Sequence, residues 1–425
     1  MNMQSLKGKR LLFMSGSKDA CEIVKIAQGL GIIVYATDWY VDSPVKRIAD
    51  KSFMVSTADV EAIVDLCKAE LIDGIFSGYT DSVLPYCQAA CEKLGFPFWG
   101  TEENIRMCID KKLFKKACEH ASLPVVPYVE MNESNYLTRL NGVKVPVVFK
   151  PVDNSGSRGV YKVFKDSDLR FYCEKSLSYS KSKEILVEEL MNANNEFSVY
   201  YMLNNGKAYL TAMADKIIND YDENLAPVDL GMKFPSQRLE QWIKEIDPIM
   251  RDFFNLNQMR FGFVFIQGFY MHGKFYIHEI GYRLNGGFTY KMIEHFSQYN
   301  QVEQLLRFAL TGTMDDFELQ KSSPKFNGIS IIVTLTLGNG KIGEIDGVEH
   351  IKRLPGVIAF YQMKEIGDEL SSSGTTAQIF SYIHCVAENL SKMRDLINEI
   401  KSHIVVKDVF GHNMLLPMID EKQLH

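Results

Sequence analysis

Two spacing patterns of apolar residues alternate along the first 100 residues of the chain. Short apolar runs of strand length are separated by segments in which apolar residues recur at helical spacing. The strand-like runs begin at Arg10, Ile32 and Ile72, and the helix-like segments begin at Ala20, Asp59 and Ser82. Strands that alternate with helices of this length predict a parallel, doubly wound sheet. The turn after the first strand contains Gly16 but no GxGxxG, which argues against a dinucleotide site.

The pattern changes after residue 100 to strands joined by polar loops. Thr101 is the predicted N-cap of a helix whose first turn is acidic. Strand pairs are predicted over 145–163 and 184–203 and from the apolar runs FGFVFIQ (261–267) and FYI (275–277), and helices around 242–254 and 299–311. A final block predicts two strands around a glycine-rich turn from residue 328, then a helix from Ala377 and a last strand. We divide the chain into domains at 1–105, 106–320 and 321–425.

Composition narrows the classes of function. Of 425 residues, 46% are hydrophobic and 24% charged, with a net charge of −6, so no basic field attracts nucleic acid. The longest apolar runs are too short for the roughly 20 residues of a membrane span, and no secretory signal is evident at the N-terminus. The eight cysteines are scattered without a CxxC pair. We therefore expect reduced thiols in a cytoplasmic protein.

A strand ending in Lys150 leads into a loop rich in glycine and serine. Such a loop, with Ser155, Gly156, Ser157 and Gly159, lets backbone N–H groups approach phosphate oxygens, and a strand-held lysine adds a fixed charge. The loop is not of the Walker type, because no Gly-Lys-Ser/Thr precedes a helix. The alternative is a hairpin turn with a surface lysine.

Upstream of this loop, the stretch IDKKLFKKAC places Lys111 and Lys115 one helical turn apart. These lysines form a basic helix face, which is suited to an anionic ligand. The alternative is an ordinary solvated charged face.

Another apolar strand ends in Glu188 and Glu189, followed by Leu190 and Met191. A strand end of this kind can present backbone N–H and C=O groups to an adenine edge, and Glu196 can reach ribose hydroxyls. The alternative is an acidic hairpin without a ligand.

The segment HEIGYR carries Glu279, Gly281 and Arg283 at alternate positions, twelve residues beyond Gln267 on the preceding apolar run. If the two runs form a hairpin, Gln267 and Glu279 lie side by side as hard oxygen ligands for Mg²⁺. Arg283 would direct a planar fork at an anion. The alternative is a hairpin with exposed polar residues. His278, next to Glu279, is interpreted as a strand-packing residue.

The order of these features resembles the ATP-grasp superfamily, which includes biotin carboxylase, carbamoyl phosphate synthetase and carboxylate–amine ligases. The resemblance covers nearly the whole chain. It implies an α/β and α+β fold: an N-terminal doubly wound parallel α/β domain, a two-lobed ATP-grasp core and a smaller C-terminal α+β domain. At the metal positions the family has Glu-x-Asn-x-Arg, whereas this chain has Gly281 in place of the asparagine.

By this resemblance, ATP and Mg²⁺ (or Mn²⁺) are the implied cofactors. The implied nucleotide-binding residues are Lys111, Lys150, Ser155, Gly156, Ser157, Gly159, Glu188, Glu189, Leu190, Met191 and Glu196. Gln267 and Glu279 are the implied metal ligands, and Arg283 and Lys150 the implied catalytic residues.

The implied reaction joins a small-molecule carboxylate to an amine, such as an amino acid, through an acyl phosphate. The C-terminal block looks like that of the amino-acid-ligase branch, and Asp215, Lys216 and Asp229 are further candidates for acceptor binding. Two alternatives stay open: a bicarbonate-using enzyme like carbamoyl phosphate synthetase or a carboxylase, and an ATP-binding homologue without catalysis. The resemblance implies no nucleic-acid or membrane partner and allows a homodimer.

Overall fold

A computed structural model of the protein describes residues 6–154, 158–219, 228–315, 319, 322–371 and 376–424. The N-terminal sheet is parallel, in the order β3-β2-β1-β4, as the alternating pattern predicts. Its strands are β1 (Arg10–Phe13), β2 (Ile33–Thr37), β3 (Lys51–Phe53) and β4 (Gly74–Phe76). Its helices are α1 (Ala20–Gly29), α2 (Val60–Ala69) and α3 (Leu84–Leu94). The short edge strand β3 lacks a long apolar run and was not predicted.

The helical region after residue 100 is two helices rather than one. Helix α4 (Glu102–Ile109) begins with a capping box between Thr101 and Asn104, and Thr101 is the predicted N-cap. Helix α5 (Lys111–His120) follows directly, because Asp110 has an extended backbone and caps the new helix. The break at Asp110 fixes where Lys111 stands.

A small antiparallel sheet in the order β5-β8-β6-β7 comes next, with its strands covered by helices. The strands are β5 (Tyr128–Asn132), β6 (Val147–Pro151), β7 (Tyr161–Val163) and β8 (Glu184–Glu189). The helices of this region are α6 (Tyr136–Leu140) and α7 (Leu169–Tyr179).

The largest sheet has eight antiparallel strands in the order β13-β12-β9-β10-β11-β14-β18-β16. Its strands are β9 (Glu196–Asn204), β10 (Lys207–Asn219), β11 (Val228–Phe234), β12 (Gly262–Met271), β13 (Lys274–Gly281), β14 (Ile329–Thr336), β16 (Val357–Gln362) and β18 (Ile379–Ala387). Strand β14 pairs with β11, with Val333 opposite Gly231. The sheet is therefore continuous across the predicted domain boundary at 320/321.

Among the described residues, four helices connect strands within the region of the large sheet: α8 (Leu239–Glu245), α9 (Asp247–Leu256), α10 (Thr289–Ser297) and α11 (Gln301–Thr311). The N-terminal sheet packs closely on the last of these helices. A Cβ atom at Gly74 would lie 2.4 Å from the carbonyl oxygen of Ala309. None of the helices in the described residues combines the length and apolarity needed to cross a bilayer.

The C-terminal region adds a three-stranded sheet in the order β17-β15-β19. Its elements are β15 (Gly340–Asp346), α12 (Val348–Ile351), β17 (Glu369–Leu370), α13 (Leu390–His403) and β19 (Val405–Asp408). The prediction of a helix from Ala377 is wrong, because residues 379–387 form β18 and the helix begins only at Leu390. Pairing on both sides with β14 and β16 outweighs the local apolar spacing.

Candidate active site

One cavity of about 540 Å³ is walled by residues of the small antiparallel sheet and of the eight-stranded sheet. The predicted residues that line it are Lys111, Lys150, Glu188, Glu189, Leu190, Met191, Glu196, Gln267, Glu279 and Arg283. Ser155, Gly156 and Ser157 were also predicted but lie outside the described residues. The chain thus brings residues from four separate segments to one cleft.

Lys150 shares a buried carboxylate with Lys115 beneath the cavity. Lys150 Nζ lies 2.6 Å from Oε2 of Glu188, and Lys115 Nζ lies 3.0 Å from its Oε1. Burial acts to raise the pKa of Glu188, but the two ammonium groups outweigh it and hold this pKa at about 2. The Glu188 carboxylate is therefore a fixed anion that orients Lys150 at the wall of the cavity.

Acid should destabilise the protein through Glu188. Its folded-state pKa of about 2 lies below its ordinary value of 4.5. The stabilisation, about 3 kcal/mol from the difference of the two pKa values, is therefore complete above pH 4.5 and is lost as the pH falls toward 2. Urea unfolding at pH 7, 4 and 3 should show the stability gap between wild type and Glu188→Gln narrowing on acidification. The control Glu240→Gln, at a carboxylate that is 72% exposed, should show no such trend, and a gap independent of pH would contradict the assignment.

Lys111 stands at the root of the glycine-rich loop. Helix α5 begins there because the Asp110 carboxylate accepts the N–H groups of Lys112 at 2.9 Å and Leu113 at 3.0 Å. The Lys111 ammonium donates to the carbonyl oxygen of Asn154, the last described residue before the loop. A cation is thus held where the loop leaves the sheet.

Gly159 stands at the other end of the loop but is not among the residues that line the cavity. Its φ is +78°, and a Cβ atom there would lie 2.6 Å from Cβ of Tyr179 and 2.8 Å from Cγ of Pro151. Its carbonyl oxygen accepts a hydrogen bond from Ser176 Oγ at 2.8 Å. The contacts of the described residues therefore favour glycine at position 159 because of close packing. This reason is separate from the predicted close approach of the loop backbone to phosphate oxygens.

The predicted adenine hinge leaves strand β8 along the cavity wall. The N–H groups of Glu189 and Leu190 donate to the carbonyl oxygens of Pro127, at 3.1 Å, and Pro146, at 3.3 Å. The Met191 side chain is buried beside them. A base bound at this hinge would therefore bond to backbone groups other than those two N–H donors.

At the predicted ribose end, Glu196 is buried in a cluster of charges. Its Oε1 lies 2.6 Å from Lys216 Nζ and 3.7 Å from Nε2 of His278, and Asp229 lies 3.4 Å from Lys216 Nζ. Burial acts to raise the pKa of Glu196, but Lys216 and His278 outweigh it and hold this pKa at about 2. Glu196 is thus ionised and already engaged on one oxygen. His278 lines the cavity and stacks on Phe269, with ring centroids 4.9 Å apart.

The three candidates for acceptor binding separate in the structure. Lys216 and Asp229 line the cavity, whereas Asp215 is not among its lining residues. Successive residues of β10 face opposite sides of the sheet. The Asp215 carboxylate accepts the Ser236 hydroxyl at 2.5 Å and the Gln237 N–H at 2.9 Å, so it holds the turn before α8.

The predicted metal hairpin is formed by β12 and β13. Gln267 lies directly opposite Glu279 in the register, as predicted, and a bulge follows at Gly268. A Cβ atom at Gly268 would lie 2.5 Å from the carbonyl oxygen of Tyr276, so the bulge requires glycine. An amide oxygen beside a carboxylate is a donor set that fits a hard divalent cation.

Gly281 ends this hairpin opposite an aromatic ring. In the register its partner is Phe265, and a Cβ atom at Gly281 would lie 2.1 Å from a carbon of that ring. The space into which a side chain at 281 would point is therefore filled by Phe265. The glycine that replaces the family's asparagine therefore leaves no empty space, because the Phe265 ring packs there.

Arg283 is held by a carboxylate from the turn that follows β4 in the N-terminal region. Its Nε and Nη2 atoms lie 2.6 Å and 2.5 Å from the two oxygens of Asp81. Its guanidinium carbon lies 5.1 Å from the centroid of the Phe265 ring. The preceding residue is fixed as well, because Trp99 Nε1 donates to the Tyr282 carbonyl at 3.0 Å and the Tyr282 hydroxyl donates to the Trp99 carbonyl at 2.7 Å. Arg283 thus lines the cavity as a fixed, paired cation.

Gly281→Asn alone is expected to destabilise the protein by ~1–3 kcal/mol, because the new side chain overlaps the Phe265 ring. Phe265→Ala alone should also destabilise, by emptying packed space. The double variant should be more stable than the sum of the two effects predicts, since the asparagine fills the vacated space. Urea unfolding checks this. Gly142→Asn, where the nearest atom is 3.8 Å away, is the matched control. Strict additivity of the two changes would contradict the overlap.

Solved structures share this architecture. The L-amino acid ligase from Bacillus licheniformis matches with a TM-score of 0.78 at 17% identity, covering 95% of this chain and 99% of the ligase. The biotin carboxylase domain of the Hydrogenobacter thermophilus 2-oxoglutarate carboxylase matches with a TM-score of 0.75 at 16% identity, covering 94% and 91%. The chain has the ATP-grasp fold. No family model matches it.

A sequence relative of this chain is the formate-dependent phosphoribosylglycinamide formyltransferase of Maridesulfovibrio salexigens. The two are 26% identical over 199 residues, which is 45% of this chain and 49% of the relative. The chain therefore matches about half the length of that curated relative.

Sequence reasoning missed three residues that shape this cavity. Lys162 of β7 lines the cavity. It lies on the strand that follows the glycine-rich loop, where strand alternation could have indicated that it faces the cavity. Phe265 lies two residues before Gln267 on the same face of β12, which strand alternation could have indicated. Asp81 carries no local signal, because it is 202 residues from its partner Arg283.

Proposed function

We propose that the chain is an ATP-dependent carboxylate–amine ligase that forms an amide or peptide bond and releases ADP and phosphate. The observation that carries the proposal is the distribution of charge in one cavity. Cations from four segments, Lys111, Lys150, Lys162 and Arg283, share this cleft with the oxygen donors of Gln267 and Glu279. Such a set suits transfer of a phosphoryl group, in which positioning and charge neutralisation do most of the catalysis.

Gln267 and Glu279 would hold Mg²⁺ or Mn²⁺, which neutralises phosphate charge when bound. Lys111 and Lys150 would bind phosphate oxygens, and the buried Glu188 carboxylate would keep Lys150 oriented. The segment 188–191 would receive the adenine, and the second carboxylate oxygen of Glu196 would receive the ribose. The loop that contains Ser155, Gly156, Ser157 and Gly159 would cover the phosphates.

In the proposed reaction, an oxygen of the substrate carboxylate attacks the γ-phosphorus, and the bond from that phosphorus to ADP breaks. The amine nitrogen then attacks the acyl carbon, and phosphate leaves with the electron pair of the acyl–oxygen bond. Arg283 supplies positive charge beside the transferred group. Since Asp81 already occupies its fork, Arg283 would act as a fixed charge rather than as a free bidentate ligand.

The test is incubation with ATP, Mg²⁺ and a panel of carboxylates and amines, with amino acids prominent in both sets. Phosphate and a new amide should appear only when both partners are present. ADP release without amide across a broad panel would refute the ligase assignment. Turnover that requires bicarbonate and no organic acid would instead favour a carboxylase-like or carbamoyl-phosphate-type enzyme.

A second candidate is a nucleotide-binding protein without catalysis, and the packing of Phe265 on Gly281 is the observation that favours it. That ring takes the place of a second metal-facing side chain, so only one ion would have protein ligands at the hairpin. Tight Mg·ATP binding without turnover, whatever the acceptor, would support this candidate.

We further propose that the protein is cytoplasmic, where the eight free cysteines would stay reduced, and that it forms a homodimer.

A further inference from the structure

A second group of ligand-type side chains lies on the C-terminal helices. Within the described residues, His350 of α12 and Glu399 and His403 of α13 have ligand atoms that all lie within 4.8 Å of one another. Glu399 and His403 are one helical turn apart and project from the same face of α13. None of the three is among the residues that line the nucleotide cavity.

Both imidazoles converge on one carboxylate oxygen. His350 Nε2 lies 3.4 Å and His403 Nδ1 lies 3.5 Å from Oε1 of Glu399, and the two rings stack with centroids 3.9 Å apart. Donors bound tetrahedrally to Zn²⁺ at roughly 2.0–2.1 Å are about 3.3 Å apart. The separation between His350 Nε2 and Glu399 Oε1 is already close to this value, and the ligand atoms of all three residues lie within 4.8 Å of one another. The His403 ring would turn out of the stack with His350 to aim a nitrogen at the same point.

The two helices hold these side chains in place. Ile351 of α12 and Ile400 of α13 are fully buried in one apolar cluster. Gly347, which precedes α12, touches the end of α13: a Cβ atom there would lie 2.0 Å from the carbonyl oxygen of His403. His350 is thus fixed relative to α13 by packing on both sides of α12.

One histidine already has the hydrogen bond that metal-binding imidazoles commonly make. His403 Nδ1 lies 2.9 Å from the backbone carbonyl oxygen of Glu399. A carbonyl oxygen only accepts, so Nδ1 carries the proton and the lone pair is on Nε2. Metal-binding histidines generally donate their other N–H to such a carbonyl, which fixes the tautomer.

We propose that His350, Glu399 and His403 form a binding site for a late first-row divalent cation such as Zn²⁺. Two imidazoles with one carboxylate suit such ions, whereas Mg²⁺ and Ca²⁺ prefer ligand sets made of oxygen alone. The side chains are 47%, 46% and 39% exposed, so an ion can enter from solvent and keep one position for water or another ligand. This site is independent of the function proposed for the nucleotide cavity.

The test is calorimetric titration of the full chain with Zn²⁺ alone, after chelator treatment, in buffer with excess Mg²⁺. Wild type should bind one Zn²⁺ that His350→Ala and His403→Ala each weaken at least tenfold. Glu399→Gln preserves the shape of the side chain and should weaken binding as well. The matched control is His412→Ala, a 79%-exposed histidine of the same region that pairs with Asp408.

Thermal unfolding provides the second measurement. Zn²⁺ should raise the midpoint temperature of unfolding of wild type and of His412→Ala, because the ion binds the folded site and not the unfolded chain. It should not raise the midpoint temperature of the three site variants, which lack a ligand. Binding to cysteines or to the nucleotide cavity would persist in all the site variants. That result, or no binding to wild type, would overturn the proposal.

Discussion

Glu279→Gln should lower ATP turnover by about 10³-fold or more while leaving the protein folded. The substitution keeps the size of the side chain but removes the negative charge that, with Gln267, would hold the divalent ion. Steady-state rates measured over a range of Mg²⁺ concentrations check this. If the charge matters through the ion, raising Mg²⁺ or replacing it with Mn²⁺ should recover part of the activity.

Glu240→Gln is the matched control for this experiment. Glu240 is 72% exposed and pairs with surface Lys325, and such surface pairs contribute little stability. Its activity should stay near wild type. Near-normal turnover in Glu279→Gln, with unchanged Mg²⁺ dependence, would refute the assignment of the hairpin as the metal site.

Lys150→Met should lower turnover by about 10²–10³-fold, because it removes a fixed cation from a site where charge develops on the phosphoryl group. The same change leaves Glu188 with Lys115 as its remaining described partner, so a loss of stability is also expected. Activity should therefore be measured well below the unfolding midpoint. Fluorescence titration with an ATP analogue separates loss of binding from loss of turnover.

Lys116→Met, on the same helix as Lys115 but 52% exposed, is the matched control for loss of a lysine charge. It should change neither activity nor stability by much. If Lys150→Met turned over ATP like Lys116→Met, Lys150 would be a structural partner of Glu188 and not part of the phosphate site.

The sequence predicted best those features that depend on local repetition. The parallel N-terminal sheet follows from alternating strand and helix spacing, and the pairing of Gln267 with Glu279 follows from two apolar runs separated by a short turn. Both depend only on neighbours along the chain or on strand alternation.

What the sequence could not predict depends on packing between distant segments. Residues 379–387 have helix-compatible apolar spacing but become a strand, because two neighbouring strands are available to pair with them. The ion pair between Arg283 and Asp81 joins two segments that are 202 residues apart, so no local sequence pattern predicts it. The space beside Gly281 is filled by the facing Phe265 ring. The sequence shows only that a side chain is absent at 281, and not that another residue occupies its place.

The strand β14 has a practical consequence for work on pieces of this chain. Because it pairs with β11, cutting between residues 320 and 321 would strip one neighbour from β11 and expose a row of backbone hydrogen-bonding groups. Such an edge recruits other chains, so a fragment that ends at 320 should aggregate when expressed alone. Soluble shorter versions would have to end outside the eight-stranded sheet, and the apparent three-part order of the sequence does not offer such a cutting point at 320.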